Sequence, residues 1–259
     1  MNPTLRMLMT MRLVGLDLAW RSVINTTAAA FGDLNGSCLQ LTKICPALSD
    51  LGEVKSIIQS EDKLFGIAID APLIINNKSG QRECERLVGK DYGRRGASCH
   101  SSNLDLYPNP AGVELSRYLK ERGYEHLQNA AKGKFQIECY PHPAIIEMFG
   151  LPERLAYKKG KVSDKKQGQI QLSRYIKALE KSRVISLIVS EEWHKFLEQE
   201  YIRSLPGKDL KVNEDVLDSI ICVYICALFA TSSAYTTYGS IADGYIYVPK
   251  QKCILDSDT

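Results

Sequence analysis

The sequence predicts an α/β fold, read as a five-stranded mixed sheet flanked by helices, with helical and loop insertions at about 76–109 and 150–205 of one domain spanning 1–259. Three observations lead there. The stretch Leu13-Val14-Gly15-Leu16-Asp17-Leu18-Ala19-Trp20 is apolar or small at nearly every position, the pattern of a strand covered on both faces. The same pattern returns at Leu64 to Pro72 and, more weakly, at Phe135 to Pro141. The second half of the chain carries apolar residues mostly at helical spacing.

Each element has a local reason. Thr26 to Phe31 and Ser37 to Ile44 are strand-like and flank Gly32-Asp33-Leu34-Asn35-Gly36, a turn composition, so three strands form an antiparallel meander. Leu48, Leu51, Val54, Ile57 and Ile58 fall at helical spacing, with Ser49 or Asp50 as cap. Pro72 closes the strand that ends at Asp70. Asn76 to Asn109 lacks a period, and a loop of that length inside a compact fold is usually functional or mobile. Gly112 to Gly123 reads as a helix ended by glycine, and Pro143 to Phe149 as a brief one. Tyr157 to Lys166 reads as a basic loop. Gln169 to Leu187 and Glu191 to Ile202 are helical by period, Asn213 is a candidate cap for a helix carrying Asp215 and Asp218, and Tyr245 to Pro249 is a last short strand.

Bulk properties exclude some classes. A net charge of +3 over 259 residues is no polycation, so any contact with a polyanion must come from local patches. The eight cysteines have no regular spacing and several fall inside expected strands or a helix, as buried reduced thiols do. Met1 to Met11 lacks the long apolar segment of a signal peptide, and Val216 to Ala230 is too short to span a bilayer. The expectation is a soluble cytoplasmic protein without a membrane partner.

Chemistry points to the carboxylates. Asp17 and Asp70 each follow a run of residues that should be buried, and an ionised carboxylate there is costly unless neutralised. A helical crossover between their strands makes them parallel neighbours, whose carboxyl ends share the edge where α/β sheets bind ligands. Asp215 and Asp218 lie three apart and so share a helix face. Helix-dipole stabilisation accounts for Asp215 better than for Asp218, which lies deeper beside Ile220, Ile221 and Tyr224. Glu138 ends a strand and suits either a ligand or the partner of a basic side chain. Several carboxylates around one point suggest a hard divalent cation. Two such ions about 3.5–4 Å apart support phosphodiester cleavage.

Gly15-Leu16-Asp17-Leu18-Ala19-Trp20, Ile69-Asp70-Ala71-Pro72, Arg94-Arg95-Gly96-Ala97-Ser98, Glu138-Cys139-Tyr140-Pro141, Tyr157-Lys158-Lys159 and Glu214-Asp215-Val216-Leu217-Asp218, in this order, resemble the DUF429 family of predicted nucleases with an RNase H-like fold. The resemblance covers nearly the whole chain, and its specificity lies in the joint order of short motifs. It implies strand order 3-2-1-4-5 with the first-strand aspartate central. By similarity to Holliday-junction resolvases of the RuvC type, it places Asp17, Asp70, Asp215 and Asp218 on two Mg²⁺ or Mn²⁺ ions. Glu138 is added to the catalytic set from the family pattern. Arg94, Arg95, His142, Lys158 and Lys159 are expected to meet a nucleic acid, DNA or RNA, with binding that weakens steeply in salt. Three other readings compete. A phosphotransferase of the actin and sugar-kinase superfamily lacks its glycine-rich phosphate loop here, a non-catalytic binding protein would not need the acidic set, and a zinc site on Cys99, His100, Cys139 and His142 matches no common spacing.

Overall fold

The computed structural model describes residues 10–20 and 26–254; the N-terminal stretch read above as no signal peptide lies mostly outside them. The chain opens with β1 (Met11–Asp17), β2 (Thr27–Asn35) and β3 (Cys38–Leu48), the expected meander, antiparallel throughout. Helix α1 (Leu51–Gln59) follows, with Asp50 accepting from the Glu53 amide as its cap. Then come β4 (Leu64–Ile69), α2 (Glu83–Tyr92), α3 (Ala111–Lys120), β5 (Glu125–His126), β6 (Phe135–Glu138) and α4 (Pro141–Phe149). The remainder is α5 (Val162–Ala178), β7 (Ser186–Val189), α6 (Gln199–Ser204), α7 (Gly207–Ala230) and the hairpin β8 (Tyr235–Ser240) and β9 (Gly244–Pro249).

The central sheet runs β5-β6-β4-β1-β2-β3-β7, so it has seven strands and not five. Four of the expected strands stand as β3-β2-β1-β4 with β6 beyond them, and only the two pairs of the meander are antiparallel. The two additional strands, β5 and β7, sit at the edges. Neither carries a period long enough to read: β5 has two residues, and Ser186 to Val189 was absorbed into the expected helix ending at Leu187.

Other boundaries moved for similar reasons. The irregular insertion 76–109 holds α2, whose buried positions Cys84, Val88 and Tyr92 are four apart but separated by charged residues that hide the stripe. The second insertion, 150–205, contains α5, β7, a 3₁₀ turn at Glu191–Leu197 and α6. Helix α7 starts at Gly207 after Pro206, not at Asn213. Asn213 is buried and its amide donates to Gln169 Oε1 at 3.0 Å instead of capping.

The faces of β1 explain its composition. Val14 and Leu16 pack with Val54, Ile58 and Leu115 of α1 and α3. Leu13 packs on the other side among the apolar residues of α7, including Ile220 and Val223. Gly15 lies on that α7 side. A Cβ there would fall 2.0 Å from the Val223 amide nitrogen and 2.4 Å from the Ser219 carbonyl oxygen, so only glycine lets the helix backbone lie directly on the strand. This contact lowers Asp218 onto the strand ends. No helix among the described residues is long and apolar enough to cross a membrane.

Candidate metal centre

The register assembles the centre. β1 and β4 are parallel and pair Gly15 with Ala68 and Leu16 with Ile69. The next step along each strand is Asp17 and Asp70, and the Asp70 amide still donates to the Leu16 carbonyl at 2.9 Å. Both side chains project to the α7 side, since pleating alternates faces. Asp218 reaches them from the helix. One oxygen from each of Asp17, Asp70 and Asp218 lies within 4.8 Å of the others, and no other such group of three occurs among the described residues. The zinc set Cys99, His100, Cys139 and His142 does not gather.

Burial and neighbouring acid charge act on Asp70, Asp218 and Asp215. Burial, then the Asp17 and Asp218 charges, push the Asp70 carboxyl well above its ordinary range against the pull of Lys158. Burial likewise raises Asp218, opposed by Lys158. Asp215 rises to about 8, from burial and then Asp17. Asp215 lies beside the trio and accepts from Lys211 at 2.5 Å, and Lys211 also bridges Glu214 at 2.9 Å. Since α7 begins two turns earlier than the sequence suggests, neither Asp215 nor Asp218 is a first-turn acid, and the helix dipole no longer accounts for Asp215.

Cations stand around this floor. Lys158 Nζ is 2.5 Å from Asp218 Oδ2 and 4.0 Å from Asp70 Oδ2. Burial alone would disfavour its ammonium, but Asp218, Tyr157, Asp17 and Asp70 together hold it well above the ordinary lysine value. The buried Tyr157 hydroxyl donates to Asp218 Oδ1 at 2.7 Å. Asp17 and Asp70 line a cavity of about 920 Å³, with Arg154, Lys159 and Lys211 among its cations and Trp20, Tyr107 and Tyr140 among its rings, while Asp218 lies buried behind them. Trp20 and Tyr107 meet edge to face at 5.3 Å. His142 also lines the cavity. Burial, then Lys158 and Arg154, lower it far below the usual value, so it is neutral, and its Nδ1 has no hydrogen-bond partner among the described residues.

Not every expected residue arrives. Glu138 pairs with Ile69 in register and therefore faces away from α7. It receives both Arg82 guanidinium nitrogens, at 2.9 and 2.6 Å, and the Leu73 amide at 2.9 Å. Its place is a buried ion pair, the second of the two roles its position allowed. Arg95 is turned to Glu147 and the carbonyls of Leu151 and Pro152, and does not line the cavity. Arg94 is exposed and also off the lining. Lys158, Lys159 and His142 line the cavity, and Lys158 is at the same time paired with carboxylates.

Sequence reasoning missed Arg154 and Lys211. The i, i+4 spacing of Lys211 and Asp215 was a usable signal. Arg154 gave none, because it reaches the cavity only through the chain crossing that pairs its amide with the Arg95 carbonyl at 2.9 Å.

A family model described as "Protein of unknown function (DUF429)" matches residues 19–242. The chain belongs to the DUF429 family. The matched DUF429 region begins two residues after Asp17 and contains Asp70, Glu138, Asp215 and Asp218. No curated protein and no solved structure matches this DUF429 chain.

Proposed function

We propose that this DUF429 protein is a metal-dependent nuclease, hydrolysing phosphodiester bonds of DNA or RNA with Mg²⁺ or Mn²⁺. The observation that carries the reading is the meeting of Asp17, Asp70 and Asp218, from two strand ends and a helix, with Asp17 and Asp70 lining a cavity that has cationic walls. The donor set suits the ion: three hard carboxylate oxygens meet on one spot, and burial, then neighbouring acid charge, pushes Asp70 and Asp218 toward protonation. The order β3-β2-β1-β4-β6 within the sheet supports the RNase H-like reading.

In this reading Asp17, Asp70 and Asp218 would hold an ion, and Asp215 beside them would help hold a second. When bound, the ions supply a nucleophilic water and stabilise charge on the reacting phosphate. The chain's own residues position the strand. Arg154 and Lys159 meet backbone phosphates on the cavity wall, and Trp20 and Tyr107 offer ring surface to an unpaired base. Tyr157 fixes the Asp218 carboxylate through its hydroxyl. The neutral His142 offers an acceptor or donor without adding positive charge. We assign the cytoplasm as its compartment on the eight free cysteines.

The test is a panel of single-stranded, duplex and branched DNA and RNA, incubated with purified protein with and without Mn²⁺. Cleavage that needs the metal and vanishes in Asp17→Asn and Asp70→Asn supports the reading. Equal cleavage by wild type and both variants, or none on the whole panel, overturns it.

A further inference from the structure

We propose that Lys158 is a built-in counter-ion of the acidic trio, and that a divalent cation binds there only by displacing its ammonium. The inference rests on the reading of the trio as a metal site and adds how that site is regulated.

Geometry carries it. Lys158 Nζ contacts Asp218 Oδ2 at 2.5 Å and stands 4.0 Å from Asp70 Oδ2, so it lies against two of the three carboxylates a shared cation would use. One oxygen from each of the three lies within 4.8 Å of the others, a space too small to separate a lysine ammonium from a divalent ion. The two would repel strongly at that range, with little water between to screen them. Only one cation can hold the site at a time.

The exchange is mechanically simple. Residues 151–161 form a connector without helix or strand, between α4 and α5. Its anchor is Tyr157, fully buried and tied to Asp218 Oδ1. The Lys158 side chain, 24 % exposed, faces the cavity on a flexible four-carbon stem. It swings outward without breaking a backbone hydrogen bond, and there it joins Arg154 and Lys159 on the wall. Metal-free, the lysine neutralises buried carboxylates that would otherwise stand uncompensated. Metal-loaded, it becomes one more positive group for a phosphate backbone.

The experiment is Mn²⁺ titration calorimetry on wild type, Lys158→Met and Lys159→Met, each as the full chain. Lys158→Met is expected to bind Mn²⁺ at least tenfold tighter than wild type, and Lys159→Met to change affinity less than threefold. Equal or weaker binding by Lys158→Met overturns the inference and leaves the metal reading standing. An equal gain in Lys159→Met also overturns it, because the effect is then long-range charge and not occupancy. Absence of Mn²⁺ binding in wild type and Lys158→Met removes both. Should Lys158→Met fail to fold, amine acylation of wild-type protein decides, read by peptide mass spectrometry. Mn²⁺ is expected to accelerate labelling of Lys158 several-fold and to leave Lys159 unchanged, and an unchanged Lys158 rate overturns the inference.

Discussion

Two groups of acids stand at the same sheet edge and are built in opposite ways. Glu138 and Glu85 share Arg82, and all three side chains are at most 4 % exposed. Every carboxylate oxygen there has a partner: Arg82 takes both oxygens of Glu138, the Leu73 amide adds a third bond, and the Arg82 and Ser102 amides serve Glu85. In the other group Asp70 and Asp218 share one lysine on an irregular connector, and Asp17 and Asp70 line a large cavity. A planar guanidinium locked in two-pronged bonds is a permanent partner, whereas a compact ammonium on a flexible stem is exchangeable. The closed cluster fastens the insertion that follows β4 to β6. The open one is available for chemistry.

The largest expected effect breaks the closed cluster. Removing one partner of a buried pair costs ~3–5 kcal/mol, so Arg82→Met or Glu138→Gln should lower the thermal midpoint by about 10 °C. Asp70→Asn, which relieves repulsion, should hold or raise it. Thermal unfolding of the three variants side by side reads this, and a reversed order would erase the distinction. Next comes the open cluster: Asp17→Asn and Asp70→Asn should each lose at least ~100-fold in metal-dependent cleavage, about 2.7 kcal/mol of barrier, with folding retained by circular dichroism. A smaller effect separates the arginines. Arg154→Met should weaken oligonucleotide binding ~10-fold and reduce its salt slope by about one. Arg95→Met should leave binding unchanged, because that side chain holds Glu147 and the 151–152 carbonyls.

The smallest effect probes the closed side by pH. His126 is lowered to about 4, by burial first and Lys120 next, with Ser116 and the Tyr245 hydroxyl each 3.0 Å from a ring nitrogen. The unfolded chain, with an ordinary histidine near 6.5, therefore takes up its proton before the folded one does. The contribution is intact above about pH 6.5 and is lost as pH falls toward 4. Midpoints measured between pH 7.5 and 5 should fall by a few degrees more in wild type than in His126→Gln.

Much of this arrangement was legible in the residues. The apolar runs ending in Asp17 and Asp70 announced central strands with acids at their ends, and the three-residue spacing of Asp215 and Asp218 announced a shared helix face. Glu138 shows the limit. Its motif resembles the others, but strand parity turns it to the opposite side of the sheet, and parity relative to a neighbour follows from register and not from composition. β5 and β7 were invisible because two or four residues carry no period.

The sequence by itself determined the apolar runs that form the central strands and the acids that end strands 1 and 4, since these follow from local apolarity. Only the tertiary structure decided which acids meet. Arg154 and Lys158 come to the cavity from the connector 151–161 and Lys211 from α7, and Glu138 is claimed by Arg82, 56 positions away. Electrostatic partners are set by distances in space, and in a chain folded through a parallel sheet those distances bear no fixed relation to order along the backbone.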